Sequence, residues 1–106
     1  MRIRAPAKIN LSLRVVGKRE DGYHLLDTIM LPVSLYDEIE IRKAKAKAKS
    51  AGARIKITCA HPLVPRGEQN IVFGAARLLL PRMNERLGIH IHIRKRIPVG
   101  AGLGGG

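Results

Sequence analysis

Alternation of apolar and polar residues is the feature that most limits how this chain can fold. It runs through residues 9–15, returns in residues 38–44, and appears again in residues 89–94. A period of two is typical of β-strands that bury one face. We therefore predict strands over residues 2–16, 25–33, 38–44, 54–59 and 89–93. Pro6 should divide the first strand into two short pieces, and Tyr36-Asp37 should form a short turn.

A single helical stripe interrupts this β pattern. Asn70 is a typical N-cap, and the apolar residues after it recur at spacings of three and four. Those residues are Val72, Ala76, Leu79, Met83 and Leu87. Pro81 should kink the helix or end its regular part near Leu80, and Gly88 is a natural residue to follow its end. The sequence therefore predicts an α/β (α+β) fold, a mostly antiparallel sheet with one main helix.

Length and composition favour one domain in a reducing compartment. The chain has 106 residues, which suits a single domain. The lone Cys59 has no internal disulfide partner. The N-terminus has no apolar signal segment, and no window approaches the roughly 18 apolar residues of a membrane span. We expect a soluble, cytoplasmic protein with no membrane partner.

The formal net charge of +12 favours anionic partners. Seven basic residues lie between Arg42 and Lys56 without an acid among them, around a Lys/Ala stretch at residues 45–53. This stretch is predicted to be a long hairpin loop whose lysines keep a sheet edge soluble. A nucleic-acid surface stays open as the alternative, although only three aromatic residues are available for base stacking.

The last ten residues, Ile97 to Gly106, hold the strongest functional signal. Half of them are Gly, and they follow a strand-like run. Such a loop exposes N–H groups that can converge on a phosphate, although glycine content alone also fits a flexible tail. The loop is not the phosphate-binding motif that ends in Lys and Ser or Thr.

Three other places could carry chemistry. Lys8 lies among apolar residues and is either a surface charge or a cation for a phosphoryl group. Tyr23 and His24 follow an Asp-Gly turn and are either a hairpin tip or a pair that stacks on a flat ring. His90 and His92 share a strand face, but no metal-ligand spacing accompanies them, so no metal site is predicted.

Four segments in this order resemble the GHMP kinase superfamily. They are Ala5-Pro6-Ala7-Lys8-Ile9-Asn10-Leu11, Lys18-Arg19-Glu20-Asp21-Gly22-Tyr23-His24, Asn70-Ile71-Val72, and Lys95-Arg96-Ile97-Pro98 with the glycine run that follows. The resemblance implies the fold shared with a ribosomal protein domain. It also implies ATP-dependent phosphorylation of the 2-hydroxyl of 4-diphosphocytidyl-2-C-methyl-D-erythritol, in the non-mevalonate isoprenoid pathway, with Mg²⁺ accompanying ATP.

The resemblance also implies roles for individual residues. Lys8 would be catalytic, together with an Asp later in the family's chains. Asn10, Tyr23 and His24 would hold the substrate, the last two around the cytosine. ATP would be bound by Asn70, Lys95, Pro98, Val99, Gly100, Ala101, Gly102, Leu103, Gly104, Gly105 and Gly106.

The resemblance covers only the family's N-terminal part. Residues 1–106 would be a partial N-terminal kinase domain that ends in the ATP-binding loop, without the C-terminal domain. The two Ser residues, the helix and the Asp that follow in the family are missing from this sequence. We therefore expect no kinase activity from this chain alone, and self-association through exposed sheet surface. A basic RNA-binding module of related fold is the alternative.

Overall fold

The computed structural model describes residues 1–45, 54–82 and 87–105. Within them the chain forms a four-stranded sheet with one α-helix. The elements are β1 (Arg2–Lys18), β2 (His24–Lys45), β3 (Ile55–Cys59), α1 (Ile71–Leu79), a short 3₁₀ turn (Leu80–Arg82) and β4 (Leu87–Arg94). The strand order is β1-β2-β4-β3. β1 pairs with β2 and β2 with β4 in antiparallel fashion, whereas β3 and β4 are parallel and are connected through α1.

This arrangement confirms the predicted sheet with one helix. Among the residues described, no helix has the length and apolar character needed to cross a membrane. The predicted hairpin loop over residues 45–53 is wrong in two respects: Lys45 still belongs to β2, and β4 lies between β2 and β3, so these two strands do not form a hairpin. Residues 46–53 lie outside the described residues, as do Met83 and Gly106.

The β1–β2 hairpin is longer and more continuous than predicted. β1 is not divided at Pro6, and the predicted turn at Tyr36-Asp37 is wrong, because both residues lie inside β2. Pro6 pairs with Tyr36 and Ala7 with Val33, so the residues between Val33 and Tyr36 are absorbed as a bulge. Pro6 is tolerated because β1 is an edge strand of the described sheet.

One face of the sheet packs against α1 and forms the hydrophobic core. The isoleucines of β3 and β4 alternate with polar residues, so they all reach this face. Phe73 and Ala76 of α1 cover them, and Leu80 is the most deeply buried member of the cluster. The core residues are Ile55, Ile57, Cys59, Val64, Phe73, Ala76, Leu80, Ile89, Ile91 and Ile93.

The helix ends earlier than its apolar stripe indicated. α1 stops at Leu79 and passes into the 3₁₀ turn that contains Pro81. The regular helix ends there because the proline has no N–H to continue the helical hydrogen bonds. The predicted end of the regular helix near Leu80 is therefore confirmed. Leu87 and Gly88 were wrongly assigned to the helix and its cap, because they begin β4 opposite Lys45 and Ala44.

The far half of the hairpin lies away from the core. Its apolar side chains are exposed although they alternate as a strand should. The most exposed of them are Leu11, Leu13, Val15, Val16, Ile29 and Met30.

Candidate active site

The glycine loop has a regular backbone conformation rather than that of a flexible tail. Gly100, Gly102 and Gly104 have φ of +72°, +72° and +78°. Ala101 and Leu103, which lie between them, do not have positive φ. Alternation in the sign of φ can turn successive N–H groups toward one side, the arrangement found in anion-binding loops. A Cβ at Gly102 would meet nothing within 4 Å, so glycine is needed there for its backbone conformation.

Buried side chains anchor the start of this loop. Ile97 is almost completely buried, and Val99 packs against the hydrophobic core. Pro98 lies between these two contacts. The loop therefore leaves β4 along a fixed path before its glycines begin.

Lys8 lies directly beside the loop. Its backbone N–H donates to the carbonyl of Leu103 at 2.9 Å. A Cβ on Gly104 would come within 3.3 Å of the Lys8 side chain at Cγ. The structure therefore brings together the cation and the loop that the sequence placed at opposite ends of the chain. A cation next to converging N–H groups can stabilise the charge of a phosphoryl group.

A chain of hydrogen bonds orients Lys8. Its ammonium donates to Asn10 Oδ1 at 2.7 Å, and Asn10 Nδ2 lies 2.8 Å from Thr28 Oγ1. The Thr28 hydroxyl donates in turn to the carbonyl of Ser12 at 2.7 Å. The register of β1 shifts between Asn10 and Ser12, and such bulges re-aim side chains next to functional sites. Thr28 was missed in the sequence, where only its hydroxyl within an apolar strand could have singled it out.

Tyr23 and His24 lie in a different place, at the tip of the hairpin. Tyr23 is 73% exposed, and its N–H donates to Asp21 Oδ1. His24 begins β2 opposite Lys18. Lys18 is ten positions along β1 from Lys8, roughly 33 Å if the strand were straight. Two register shifts shorten this path, but the structure does not bring the pair next to Lys8.

Asn70 is the N-cap of α1, as predicted. Its Oδ1 accepts from the N–H of Val72 at 2.9 Å, and its Nδ2 donates to the carbonyl of Pro65 at 2.7 Å. The side chain is buried. Both of its polar atoms therefore have partners within the protein, which gives Asn70 a structural role regardless of any ligand.

Lys95 lies under the glycine loop and forms a buried ion pair. Its ammonium is 2.6 Å from Asp37 Oδ2 and also donates to the carbonyl of Gly105. Burial raises the pKa of Asp37, but the hydrogen bonds from Lys95 and from two backbone N–H groups outweigh it, so this pKa lies below its ordinary value. Asp37 was missed in the sequence because it resembled a turn residue.

The two strand histidines share one partner. Thr58 Oγ1 lies 3.0 Å from His90 Nε2 and 2.9 Å from His92 Nδ1. Within residues 1–45, 54–82 and 87–105, no three His, Cys, Asp or Glu side chains come together as a metal site.

Known proteins that are similar to this chain are kinases. Residues 70–106 match the family described as "GHMP kinases N terminal domain". A 4-diphosphocytidyl-2-C-methyl-D-erythritol kinase of Clostridium botulinum (strain Eklund 17B / Type B) is 47% identical over 106 residues, and the same-named protein of Acetivibrio thermocellus is 49% identical over 104 residues. The chain matches the N-terminal third of these kinases. The resemblance seen in the sequence is confirmed.

A solved structure supports the same relationship. The structure titled "Crystal structure of 4-(cytidine 5'-diphospho)-2C-methyl-D-erythritol kinase" superimposes with a TM-score of 0.72 and 38% sequence identity. It covers 99% of this chain, whereas the chain covers 35% of that protein. The chain also spans 35% and 34% of the two relatives named above. The predicted fold class, that of a GHMP kinase N-terminal domain, is therefore confirmed.

Proposed function

We propose that this chain is the phosphate-binding, N-terminal part of an ATP-dependent kinase. Its substrate would be 4-diphosphocytidyl-2-C-methyl-D-erythritol, phosphorylated on the 2-hydroxyl. The observation that carries the proposal is the contact between Lys8 and the glycine loop, since both are needed where a phosphoryl group is transferred. The kinases named above are 47–49% identical to the chain. This similarity supports the same proposed function.

Lys8 and the loop would stabilise negative charge on different phosphate groups. The N–H groups from Gly100 to Gly105 would hold the ATP phosphates. The Lys8 ammonium would lie against the transferring group, where negative charge develops. Asn10 and Thr28 would fix the direction of that ammonium through the hydrogen bonds described above. In this proposal residues 1–106 form a partial N-terminal domain that ends at its ATP-binding loop.

Tyr23 and His24 would hold the cytosine. Their exposed position at the tip allows a ring to stack on Tyr23 and the imidazole to bond its edge. Asn10 would bind the substrate near its reacting end.

Asn70 and Lys95 would act close to the nucleotide but with their polar atoms engaged within the protein. Asn70 would fix the start of α1, and Lys95 would support the loop from beneath. Mg²⁺ would accompany ATP and supply charge neutralisation when bound. The Asp expected from the family as the base is not assigned to any residue of this chain.

The remaining parts of the proposal concern this chain in isolation. We propose that it has no kinase activity alone. We also propose that it is cytoplasmic, which is consistent with the unpaired, buried thiol of Cys59.

We further propose self-association through the exposed apolar hairpin, which light scattering at micromolar concentration would detect. A monomeric mass would contradict it. The comparisons give no support to the RNA-binding alternative.

A chimaeric enzyme tests the function. The chain would be fused to the remaining two-thirds of the Acetivibrio thermocellus relative, and ADP release would be measured with and without the cytidine substrate. We expect substrate-dependent turnover that falls by about 10²–10³-fold in Lys8→Met, because a charge-stabilising donor is lost. Lys56→Met, which changes an exposed lysine on β3, is the control and should keep full activity.

Two results would contradict the proposal. One is a folded chimaera that binds ATP but releases no ADP with the cytidine substrate. The other is equal activity in the Lys8→Met and Lys56→Met chimaeras.

A further inference from the structure

A buried ion pair fixes the point where β4 passes into the glycine loop. Asp37 is 7% exposed, and the Lys95 side chain is 4% exposed. Other ion pairs among the described residues, such as Arg14–Asp27, are open to solvent. A buried charge is retained at low cost only where its partners are well placed, so this pair marks a position with a demanding geometry.

The two oxygens of Asp37 have different partners. Oδ2 accepts from the Lys95 ammonium at 2.6 Å. Oδ1 accepts from the N–H groups of Arg96 and Ile97, at 2.7 and 2.9 Å. One carboxylate therefore holds both the lysine and the first backbone groups of the loop.

Lys95 extends this connection to the other end of the loop. Besides Asp37, its ammonium donates to the carbonyl of Gly105. A Cβ on Gly105 would lie 2.6 Å from Ile97 Cγ2 and 2.9 Å from Lys95 Nζ, so the two ends of the loop are in direct contact. The residues in between include the glycines with alternating φ, and Leu103 among them accepts from the Lys8 N–H.

We propose that Asp37 and Lys95 form a positioning clasp that holds the glycine loop in its phosphate-binding conformation. Lys95 then acts through the loop, because two of the three donors of its buried ammonium are directed to Asp37 and Gly105. The role of the clasp in catalysis rests on the proposed function. Its effect on the loop does not, so the two can be tested separately.

Amide hydrogen exchange of the ¹⁵N-labelled chain tests the clasp. The reporter is the Lys8 N–H, which is bonded to Leu103 O and touches neither member of the pair. The first variant is Asp37→Asn. The second is the double variant Asp37→Leu/Lys95→Met, which leaves no unpaired buried charge and so keeps the fold if the first does not. Asp27→Asn makes the same chemical change in the exposed ion pair on the same strand and is the control.

We expect Lys8 N–H exchange to accelerate about tenfold or more in both clasp variants, because a charged hydrogen-bond partner of the loop is lost. Exchange at Ile91, in the core, should stay as in the unmodified chain, as should Lys8 exchange in Asp27→Asn. Unchanged Lys8 exchange in either folded clasp variant would overturn the proposal. Loss of folding in both variants would also overturn it, because the pair would then be part of the core.

Titration with ATP in the same samples separates this proposal from the proposed function. If the unmodified chain binds ATP, Asp37→Asn should weaken binding about tenfold or more, whereas Asp27→Asn should not. Equal ATP affinity in Asp37→Asn and the unmodified chain would overturn the catalytic part of the clasp proposal. If the unmodified chain does not bind ATP, the same variants are titrated in the chimaera, and the exchange data still decide whether the clasp holds the loop.

Discussion

Replacing Asn70 with Ala should lower the free energy of unfolding by about 2–3 kcal/mol. The N-cap bond to the Val72 N–H is worth about 1 kcal/mol, within a range of about 0.5–2. The Nδ2 bond to Pro65 O adds about 1 kcal/mol, and more where the remaining carbonyl stays buried without a partner. Asn70 is itself buried, so water cannot easily replace either bond.

Two further variants separate these contributions in urea unfolding experiments. Asn70→Ser keeps an N-cap acceptor but loses the donor to Pro65, so it should lose only about half as much stability. Glu68→Ala, an exposed change in the same loop, should stay within about 0.5 kcal/mol of the unmodified chain. An Asn70→Ala loss below about 0.5 kcal/mol would refute the structural role. ATP binding that drops while stability does not would assign Asn70 to the nucleotide alone.

Three further predictions address the helix, the relay to Lys8 and the buried carboxylate. Gly74→Ala, in the exposed middle of α1 where a Cβ has free space, should raise the free energy of unfolding by about 0.5–1 kcal/mol in urea experiments; a decrease would contradict the helix. Thr28→Val should lower turnover of the chimaera described above, because the Asn10 amide loses its partner, and Thr28→Ser should restore it. No loss in Thr28→Val would remove Thr28 from the relay. Because the pKa of Asp37 is lowered in the folded state, its stabilisation should be complete above the unfolded-state value of about 3.9 and be lost as pH falls through the lower folded-state pKa. The free energy of unfolding, measured across this pH range, should depend less on pH in Asp37→Asn than in the unmodified chain. Equal pH dependence in the two proteins would argue against the ion pair.

Local sequence patterns predicted an element correctly where residues close together in the chain determine its structure. The alternating isoleucines indicated β4, and Asn70 indicated the start of α1. The errors arose where tertiary pairing overrides a local signal. Tyr36-Asp37 has turn-like residues, but the pairing of Ala5 with Asp37 keeps the segment extended. Leu87 continued the helical stripe in phase, yet Pro81 had already ended the helix.

The candidate site was only partly readable from the sequence. The glycine loop and Lys8 were visible as motifs, and the resemblance to a kinase family implied that both take part in phosphoryl transfer. The contact between them joins Lys8 to Leu103, which no local pattern reveals. Asp37 was missed for the same reason, because its partner Lys95 is 58 positions away along the chain. Long-range polar contacts of this kind appear only once the fold is known.

Titration of the ¹⁵N-labelled chain with ATP tests the central claim most directly, which is that the glycine loop beside Lys8 binds phosphate. The account predicts that the backbone N–H signals of Gly100 to Gly105 and of Lys8 shift together and saturate, and that Gly102→Ala abolishes these shifts because Ala is strained at a φ of +72°. Saturable shifts confined to the surroundings of Lys56 and His90, with the loop signals unchanged, would contradict it.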